Sequence, residues 1–423
     1  MSARPSRSFA CAFTALSLTA LCASARADSD GDRERDRSKD RTVNVDCAAG
    51  DTIARALTRG DERKSLTILI NGTCNESIVI NRSDVKLAAA APGAGISGPD
   101  PTIDVVRVTG SRVTIDGITI TGGRNGITGE GADGMIVQNA MVLATGRTGI
   151  VYGSGANGIV DTVTSSGNAR DGVSIDSASA VVIGSQLTQN GRFGVNVSDS
   201  ASGRIGIDNK NNPSRNVISS NGASGINISY SSGAFIAMND IMDNGTNAAP
   251  GNPRFGIGMN SASADVIGGN TISGNAGQGI NMRTSSLSMG DLNFGFTSVN
   301  TITGNGSAAL PGGIFAFLGS SLNIQNAVIS GNNGFGMILS LRSQAQIAGT
   351  TIQNNLAAPP NQGEGIRLVF GSALFAANPV GTITGNAGFG LNCTDGETSV
   401  INTGLLGIGA NGLGGVAATC TGF

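Results

Sequence analysis

Histidine and tryptophan are absent from the 423-residue chain, and tyrosine occurs only twice. Without histidine, Ser-His-Asp and Cys-His nucleophiles and imidazole metal sites are excluded. Without tryptophan, and with so little tyrosine, the usual stacking surfaces for nucleic acid bases are missing. The net charge of -2 supplies no basic surface either. The composition therefore argues against nucleic acid as a partner, and it indicates no metal and no cofactor.

Charge and proline are also scarce. Charged residues make up 13% of the chain, against a usual share of about 25%, and there are 11 prolines. The 65 glycines follow no Gly-X-Y period, so collagen and proline-rich disorder are excluded. Hydrophobic residues reach 39%, which is enough to build a sizeable core.

The first 27 residues are typical of a secretory signal peptide. Arg4 and Arg7 precede an apolar stretch over residues 12–23, and residues 25–27 form a small-x-small cleavage site. Eleven of the 14 residues from 28 to 41 are charged, which predicts a disordered linker over residues 28–42. We therefore expect an exported protein, periplasmic or extracellular, and no later stretch is long enough for a transmembrane helix.

Four cysteines remain after the predicted cleavage site, in two pairs at opposite ends of the chain. Four cysteines allow three connectivities. Their separation favours local pairing, and export permits disulfides. The predicted bridges are Cys47 to Cys74 and Cys393 to Cys420.

A glycine followed by an aliphatic residue recurs eleven times, most often every 22 or 23 residues. Apolar residues alternate after it, as in Val173-Ser174-Ile175, which predicts a strand with one buried face. Stacking such units would make parallel sheets around a dry interior. An asparagine precedes the glycine by four residues in six units, which predicts a ladder of stacked amides. These asparagines are Asn168, Asn190, Asn221, Asn275, Asn332 and Asn386.

This pattern resembles the right-handed parallel β-helix of the pectate lyase-like superfamily. The resemblance implies an all-β solenoid of about thirteen coils over residues 65–400. It also implies an N-terminal cap over residues 43–64, with a capping helix near residues 46–56, and a C-terminal cap over residues 401–423. The cap is physically needed, because an open coil end would expose a sheet edge.

The catalytic motifs of the family are missing. Histidine-containing motifs of the polygalacturonase-like and epimerase-like members cannot occur here, and the pectin methylesterase-like motif is absent. Asp171 and Asp176 are close in sequence, but the neighbouring repeats offer no acid at the matching positions. The catalytic residues are therefore unknown, and any activity should be that of a polysaccharide lyase with an arginine or lysine base.

A column of arginines stands two residues before the repeat glycine. Its members are Arg124, Arg147, Arg170 and Arg192. Like charges spaced by one coil, about 4.8 Å, repel one another, and a bound anion would relieve the repulsion. The alternative is that arginine suits this turn, with counter-charge from Glu130, Asp133 or Asp171.

Three functions fit these observations. The first is non-catalytic binding of an acidic polysaccharide, or a surface structural role, which a long, neutral rod without a family catalytic motif favours. The second is a lyase acting on a uronate polymer. The third is adhesion to a protein through a late apolar patch made of Phe315, Phe317, Ile338 and Val369.

Overall fold

The structure is a computed structural model, and it describes residues 41–59, 64–246, 253–290, 295 and 297–420. The predicted signal peptide and residues 28–40 of the predicted linker lie outside the described residues. Three parallel sheets of 14, 15 and 14 strands run through the described chain. Each strand pairs with the strand one coil earlier and the strand one coil later, so the chain forms a β-helix.

Sheet 1 holds the strands that follow the repeat glycine. Its strands are Ile78–Ile80, Val106–Val108, Ile127–Glu130, Ile150–Gly153, Val173–Asp176, Val195–Ser198, Ile226–Ser229, Ile257–Asn260, Ile280–Arg283, Ile314–Phe317, Met337–Leu339, Ile366–Leu368, Phe389–Cys393 and Gly414–Val416.

Sheet 2 comes next along each coil. Its strands are Arg41–Asp46, Leu66–Asn71, Val85–Ala89, Thr114–Asp116, Met135–Gln138, Asn157–Asp161, Ser179–Ile183, Ser202–Ile205, Gly233–Ile236, Ser263–Val266, Ser286–Met289, Ser321–Gln325, Gln344–Ala348, Ala373–Ala377 and Ser399–Ile401.

Sheet 3 completes the coil. Its strands are Thr73–Asn75, Gly95–Gly98, Thr119–Gly122, Met141–Leu143, Thr164–Ser166, Gln186–Thr188, Asn216–Ser219, Asn239–Met242, Thr271–Ser273, Thr301–Thr303, Val328–Ser330, Thr351–Gln353, Gly381–Thr384 and Leu406–Ile408.

Alternation along each strand places one side chain inside and the next outside. Val173 and Ile175 are fully buried, and Val173 pairs in register with Val195 of the next coil. The repeat glycine is required because the chain turns into sheet 1 with no room for a side chain. A Cβ on Gly256 would lie 2.6 Å from the carbonyl oxygen of Gly279 and 2.5 Å from Ile272.

Stacked asparagines run through ten successive coils at the turn between sheets 3 and 1. Each side-chain amide donates to the amide oxygen of the next asparagine at 2.8–3.1 Å. The six predicted members are present, and the ladder also contains Asn244, Asn305, Asn355 and Asn411. A second, shorter ladder lies at the turn between sheets 2 and 3. Its members are Asn216, Asn239, Asn270 and Asn300.

Each end of the solenoid carries a short segment that is cross-linked by a disulfide. Both predicted disulfides are confirmed, Cys47 with Cys74 and Cys393 with Cys420. The N-terminal cap holds a 3-10 turn, Cys47–Ala49, and a one-turn α-helix, Ile53–Leu57, rather than one helix over residues 46–56. The helix starts where it does because the Glu76 carboxylate accepts hydrogen bonds from its first two backbone amides, at 2.7 and 3.1 Å.

The boundaries of the solenoid are wider than the sequence predicted. Strand Arg41–Asp46 pairs with Leu66–Asn71, so the first sheet strand already begins inside the predicted linker. At the other end, strand Gly414–Val416 pairs with Phe389–Cys393, and a 3-10 turn, Thr403–Leu405, precedes the last strand of sheet 3. Residues after 400 therefore add further strands to the solenoid.

Candidate functional site: a groove on the outer face of sheet 1

The four predicted arginines stack as a column at the turn that enters sheet 1. The backbone amide of Arg170 donates to the carbonyl of Arg147 at 2.7 Å, and that of Arg192 donates to the carbonyl of Arg170 at 2.6 Å. The arginines that the sequence places at equivalent repeat positions therefore lie one above another on successive coils. The four side chains nevertheless fall into two classes.

Arg124 and Arg192 are each held by a buried carboxylate of the preceding coil. The Arg124 guanidinium binds Asp104 through Nε at 2.9 Å and Nη2 at 3.2 Å. Arg192 binds Asp171 in the same way, at 2.8 and 2.6 Å. The Asp104 side chain is 5% exposed and that of Asp171 is 1% exposed. Two of the four predicted cations are thus neutralised by structural ion pairs.

Both pairs have the same origin in the register. The acid stands one residue before the repeat glycine of its coil, a position that Val105 occupies in the coil of Asp104, and the arginine stands two residues before the glycine of the next coil. Burial alone would raise the pKa of Asp104, but the hydrogen bonds and charge of Arg124, together with a hydrogen bond from the backbone amide of Asn125, outweigh burial and hold this pKa below its usual value. The other two acids that the sequence offered as counter-charge are engaged elsewhere. Glu130 pairs with Arg107, and Asp133 accepts a hydrogen bond from Asn157.

Arg147 and Arg170 have no such acid beneath them. The corresponding residues of the preceding coils are neutral, Asn125 for Arg147 and Thr148 for Arg170. Among the ion pairs between described residues, none includes Arg147 or Arg170. Burial and the positive charges of Arg192 and Arg147 lower the pKa of Arg170, and Asp171 opposes this only in part. Uncompensated positive charge is therefore concentrated on two adjacent coils.

These two arginines border a groove of about 750 Å³ on the outer face of sheet 1. Its floor is a row of polar side chains from successive coils. Asn227 donates to Asn196 at 2.8 Å, and Asn196 donates to Ser174 at 3.2 Å. The wall on the arginine side also includes Phe193, Pro253 and Phe255.

An acidic pair, Asp176 and Asp199, lines the opposite side of the groove. Burial raises the pKa of Asp176, and the charge of Asp199 and a hydrogen bond to it raise this pKa further. The sequence did not reveal this pair, because Asp176 aligns with Ser198 and its partner is one residue further along, in the turn. The left-handed backbone of Asp199, with φ of 58°, marks that turn.

At its other end the groove reaches the predicted apolar patch. Phe315, Phe317, Ile338 and Val369 are all half-buried, and Phe317 lines the groove together with Asn281 and Arg283. The patch is therefore partly open to solvent.

Metal-binding side chains do not gather in the described part of the chain. No group of three or more aspartates, glutamates or cysteines there is placed to share an ion. Within the same residues, no helix has both the length and the apolar character needed to span a bilayer.

Comparison with known proteins identifies the family. A family model described as periplasmic copper-binding protein (NosD) matches residues 75–250 and 162–293, which together span more than half of the chain. A second model, described as right handed beta helix region, matches residues 283–404. The chain belongs to the family of right-handed parallel β-helix repeat proteins. No curated protein sequence matches this β-helix chain.

Several solved β-helix structures are similar at low sequence identity. The A-module of the mannuronan C-5 epimerase AlgE6 from Azotobacter vinelandii is 14% identical, covering 86% of this chain and 91% of that chain with a TM-score of 0.44. The periplasmic alginate epimerase AlgG is 11% identical, covering 88% and 83% with a TM-score of 0.41. The pectate lyase Pel9A is 14% identical, covering 68% and 77% with a TM-score of 0.39. No functional assignment follows from similarity at this level.

Proposed function

We propose that this β-helix protein binds an extended acidic polysaccharide along the groove of sheet 1, without cleaving it. The observation that carries the proposal is the pair of adjacent arginines, Arg147 and Arg170, neither of which forms an ion pair with an acid of the described residues. A ligand with carboxylates along its length supplies the missing negative charge, and the arginine fork suits a carboxylate.

The energetic reason is the repulsion between the two guanidinium groups. Two unit charges one coil apart, about 4.8 Å, repel by about 1 kcal/mol in water and by about 3 kcal/mol at an effective dielectric constant near 20. Burial is the main reason why the pKa of Arg170 is lowered; the charge of Arg192 lowers this pKa further, and the charge of Arg147 adds a smaller effect in the same direction. A carboxylate placed between the two groups replaces repulsion with two attractive contacts.

The floor of the groove suits the rest of such a ligand. Ser174, Asn196 and Asn227 present hydroxyl and amide groups, which donate and accept hydrogen bonds as sugar hydroxyl groups do. Their mutual hydrogen bonds keep them in place before a ligand arrives. The groove crosses several coils, so it accommodates a chain rather than a single sugar.

A lyase is the second candidate, because Arg170 has a lowered pKa and lines the same groove as Asp176 and Asp199. In such a reaction a base removes the proton at C5 of a uronate, and the C4–O bond breaks to leave an unsaturated sugar. Arginine is effectively always protonated in proteins, however, so it is a poor base and a good carboxylate ligand. Binding is therefore the function that this residue supports better. Incubation with polyuronates and reading of ultraviolet absorbance would reveal any unsaturated product.

Copper, which the name of the matching family model mentions, does not fit the residues of this chain. There is no histidine, and the four cysteines of the described residues are in disulfides. The thioethers of Met135, Met282, Met289 and Met337 are fully buried in the solenoid core, and Met141 is the one exposed methionine among the described residues. Copper prefers imidazole and sulfur ligands, so we propose no copper function.

Export is part of the proposal. The predicted signal peptide leads to the periplasm or the cell exterior, and the two disulfides are of the kind that persists in oxidising compartments. The family model that matches the chain carries a periplasmic description. A polysaccharide ligand would be met in the same compartments.

The test is calorimetric titration with a polyuronate, and with a neutral polysaccharide of similar size, at low and high salt. The double variant Arg147→Gln/Arg170→Gln should lose about tenfold or more in affinity, which corresponds to about 1.4 kcal/mol. Its matched control is Arg55→Gln/Arg59→Gln, which removes the same charge from the exposed surface of the cap. Equal binding by the double variant and the control, or equal binding of the neutral polymer, would reject the proposal.

A further inference from the structure

The groove has a second set of side chains suited to binding a sugar, at the end away from Arg147 and Arg170. Strand Ile280–Arg283 ends there in Arg283, which is exposed, and Asn281 lies on the same outer face. No ion pair between residues in the described ranges includes Arg283. This end of the groove therefore has its own uncompensated cation.

An aromatic pair lies on the next coil. Arg283 is in register with Phe317, and Asn281 is in register with Phe315. The two phenylalanine rings stack with their centroids 4.9 Å apart and an angle of 12° between the planes. Phe335 packs against Phe315 from one side at 6.4 Å. Two half-buried rings, held by each other and by Phe335, form a fixed apolar surface one coil from a cation.

These side chains match the parts of one acidic pyranose. A guanidinium binds a carboxylate, an amide hydrogen-bonds a hydroxyl, and an aromatic ring covers the apolar C–H face of a sugar. No cation lies over Phe315 or Phe317 in the cation–ring contacts of the described residues.

The distance between the two ends sets the size of the ligand. Strand Val173–Asp176 is four coils before strand Ile280–Arg283 in sheet 1. At about 4.8 Å a coil, the separation is about 19 Å from the coil of Arg170 and about 24 Å from the coil of Arg147. A single sugar or a disaccharide reaches one end only, whereas a longer oligomer can reach both.

We propose that Arg283, Asn281 and Phe317 form a second subsite for an acidic sugar, and that the groove binds an internal polymer segment bridging this subsite and the one at Arg147 and Arg170. This inference rests on the proposed function and adds a length requirement to it. Joining two weak sites through one ligand raises the affinity without any new kind of contact, provided that the ligand spans both.

The experiment is a calorimetric series with oligouronates from the dimer to the octamer, at one low salt concentration. The wild-type affinity should rise by about tenfold to a hundredfold once the oligomer spans both subsites, and should then level off. Arg283→Gln and Phe317→Leu should remove most of that gain for the octamer, while changing dimer affinity by no more than about twofold, because the dimer still binds at Arg147 and Arg170. Arg342→Gln, at an exposed arginine outside the groove, is the control for charge. Circular dichroism and the unfolding midpoint establish that each variant is folded.

The outcomes separate the two proposals. Binding that does not depend on length, or an Arg283→Gln variant that binds the octamer as the wild type does, would overturn the second subsite and leave the proposed function standing. Absence of binding by every oligomer and by the parent polyuronate would overturn both. A length-dependent gain that survives Arg283→Gln but is lost in Phe317→Leu would contradict the assignment of a carboxylate to Arg283.

Discussion

Asn275 offers the sharpest test of what holds the coils together. Its side chain is 1% exposed and lies in the middle of the ten-member ladder. Its amide oxygen accepts from the backbone amide and the side-chain amide of Asn244, both at 3.0 Å. Its own amide donates to Asn305 at 2.8 Å and to the carbonyl of Ile241 at 3.1 Å. The perturbation is Asn275→Ala.

The cost follows from the groups that lose a partner. Two donors of Asn244 and the carbonyl of Ile241 would stay buried and would each lose the hydrogen bond to Asn275. Asn305 would keep its hydrogen bond from the backbone amide of residue 275, which is 3.1 Å long in the wild-type structure. Each buried group left unpaired costs about 1–3 kcal/mol, so the three groups together imply a loss of about 3–9 kcal/mol in the free energy of unfolding. Urea denaturation followed by circular dichroism would measure it.

Two further variants make the reasoning refutable. Asn275→Asp keeps the shape and the acceptor but removes the donor, and it faces the amide oxygen of Asn305 with a carboxylate, so it should also destabilise. Asn209→Ala, at an exposed loop position, should change stability by less than about 0.5 kcal/mol. A loss for Asn275→Ala no larger than that of Asn209→Ala would show that the ladder does not stabilise the stack.

Three other outcomes are expected. Asp171→Asn should lower stability by about 1–3 kcal/mol, because Arg192 loses its buried counter-charge, and it should strengthen polyuronate binding in calorimetry; unchanged values of both would contradict the pairing. Because the pKa of Asp176 is raised, the groove gains a negative charge as the pH rises from about 4 through that pKa. Binding of a sulfated glycan should therefore weaken over this pH interval. Asp176→Asn should remove this pH dependence. Gly256→Ala should cost about 1–3 kcal/mol in urea denaturation, because its Cβ would collide with the carbonyl of Gly279; a neutral effect would refute that crowding.

The sequence revealed most of the fold because the fold repeats. The coils share the same glycine, the same alternation of apolar residues and the same asparagine turn, so the strands and turns assigned in one coil can be checked against the next. The sequence missed members of the asparagine ladder where a loop interrupts the repeat period. Asn244, Asn305 and Asn355 belong to the ladder, but inserted residues separate each of them from its repeat glycine.

The site was only partly predictable, because its chemistry depends on neighbours one coil away. The arginine column followed from spacing alone. Which arginines are neutralised depends on the residue beneath each one, and Asp104 and Asp171 stand in that row of the preceding coils. That signal was present in the sequence. The partnership of Asp176 with Asp199 was not, because a left-handed turn moves Asp199 out of the aligned column.

The most direct test of the account is a crystal structure of the protein with a bound oligouronate. The account predicts the oligosaccharide on the outer face of sheet 1, with a carboxylate within hydrogen-bond distance of the guanidinium of Arg147 or Arg170. An oligosaccharide seated on sheet 2 or sheet 3, or one that lies in the groove with its carboxylates turned away from both arginines, would contradict it.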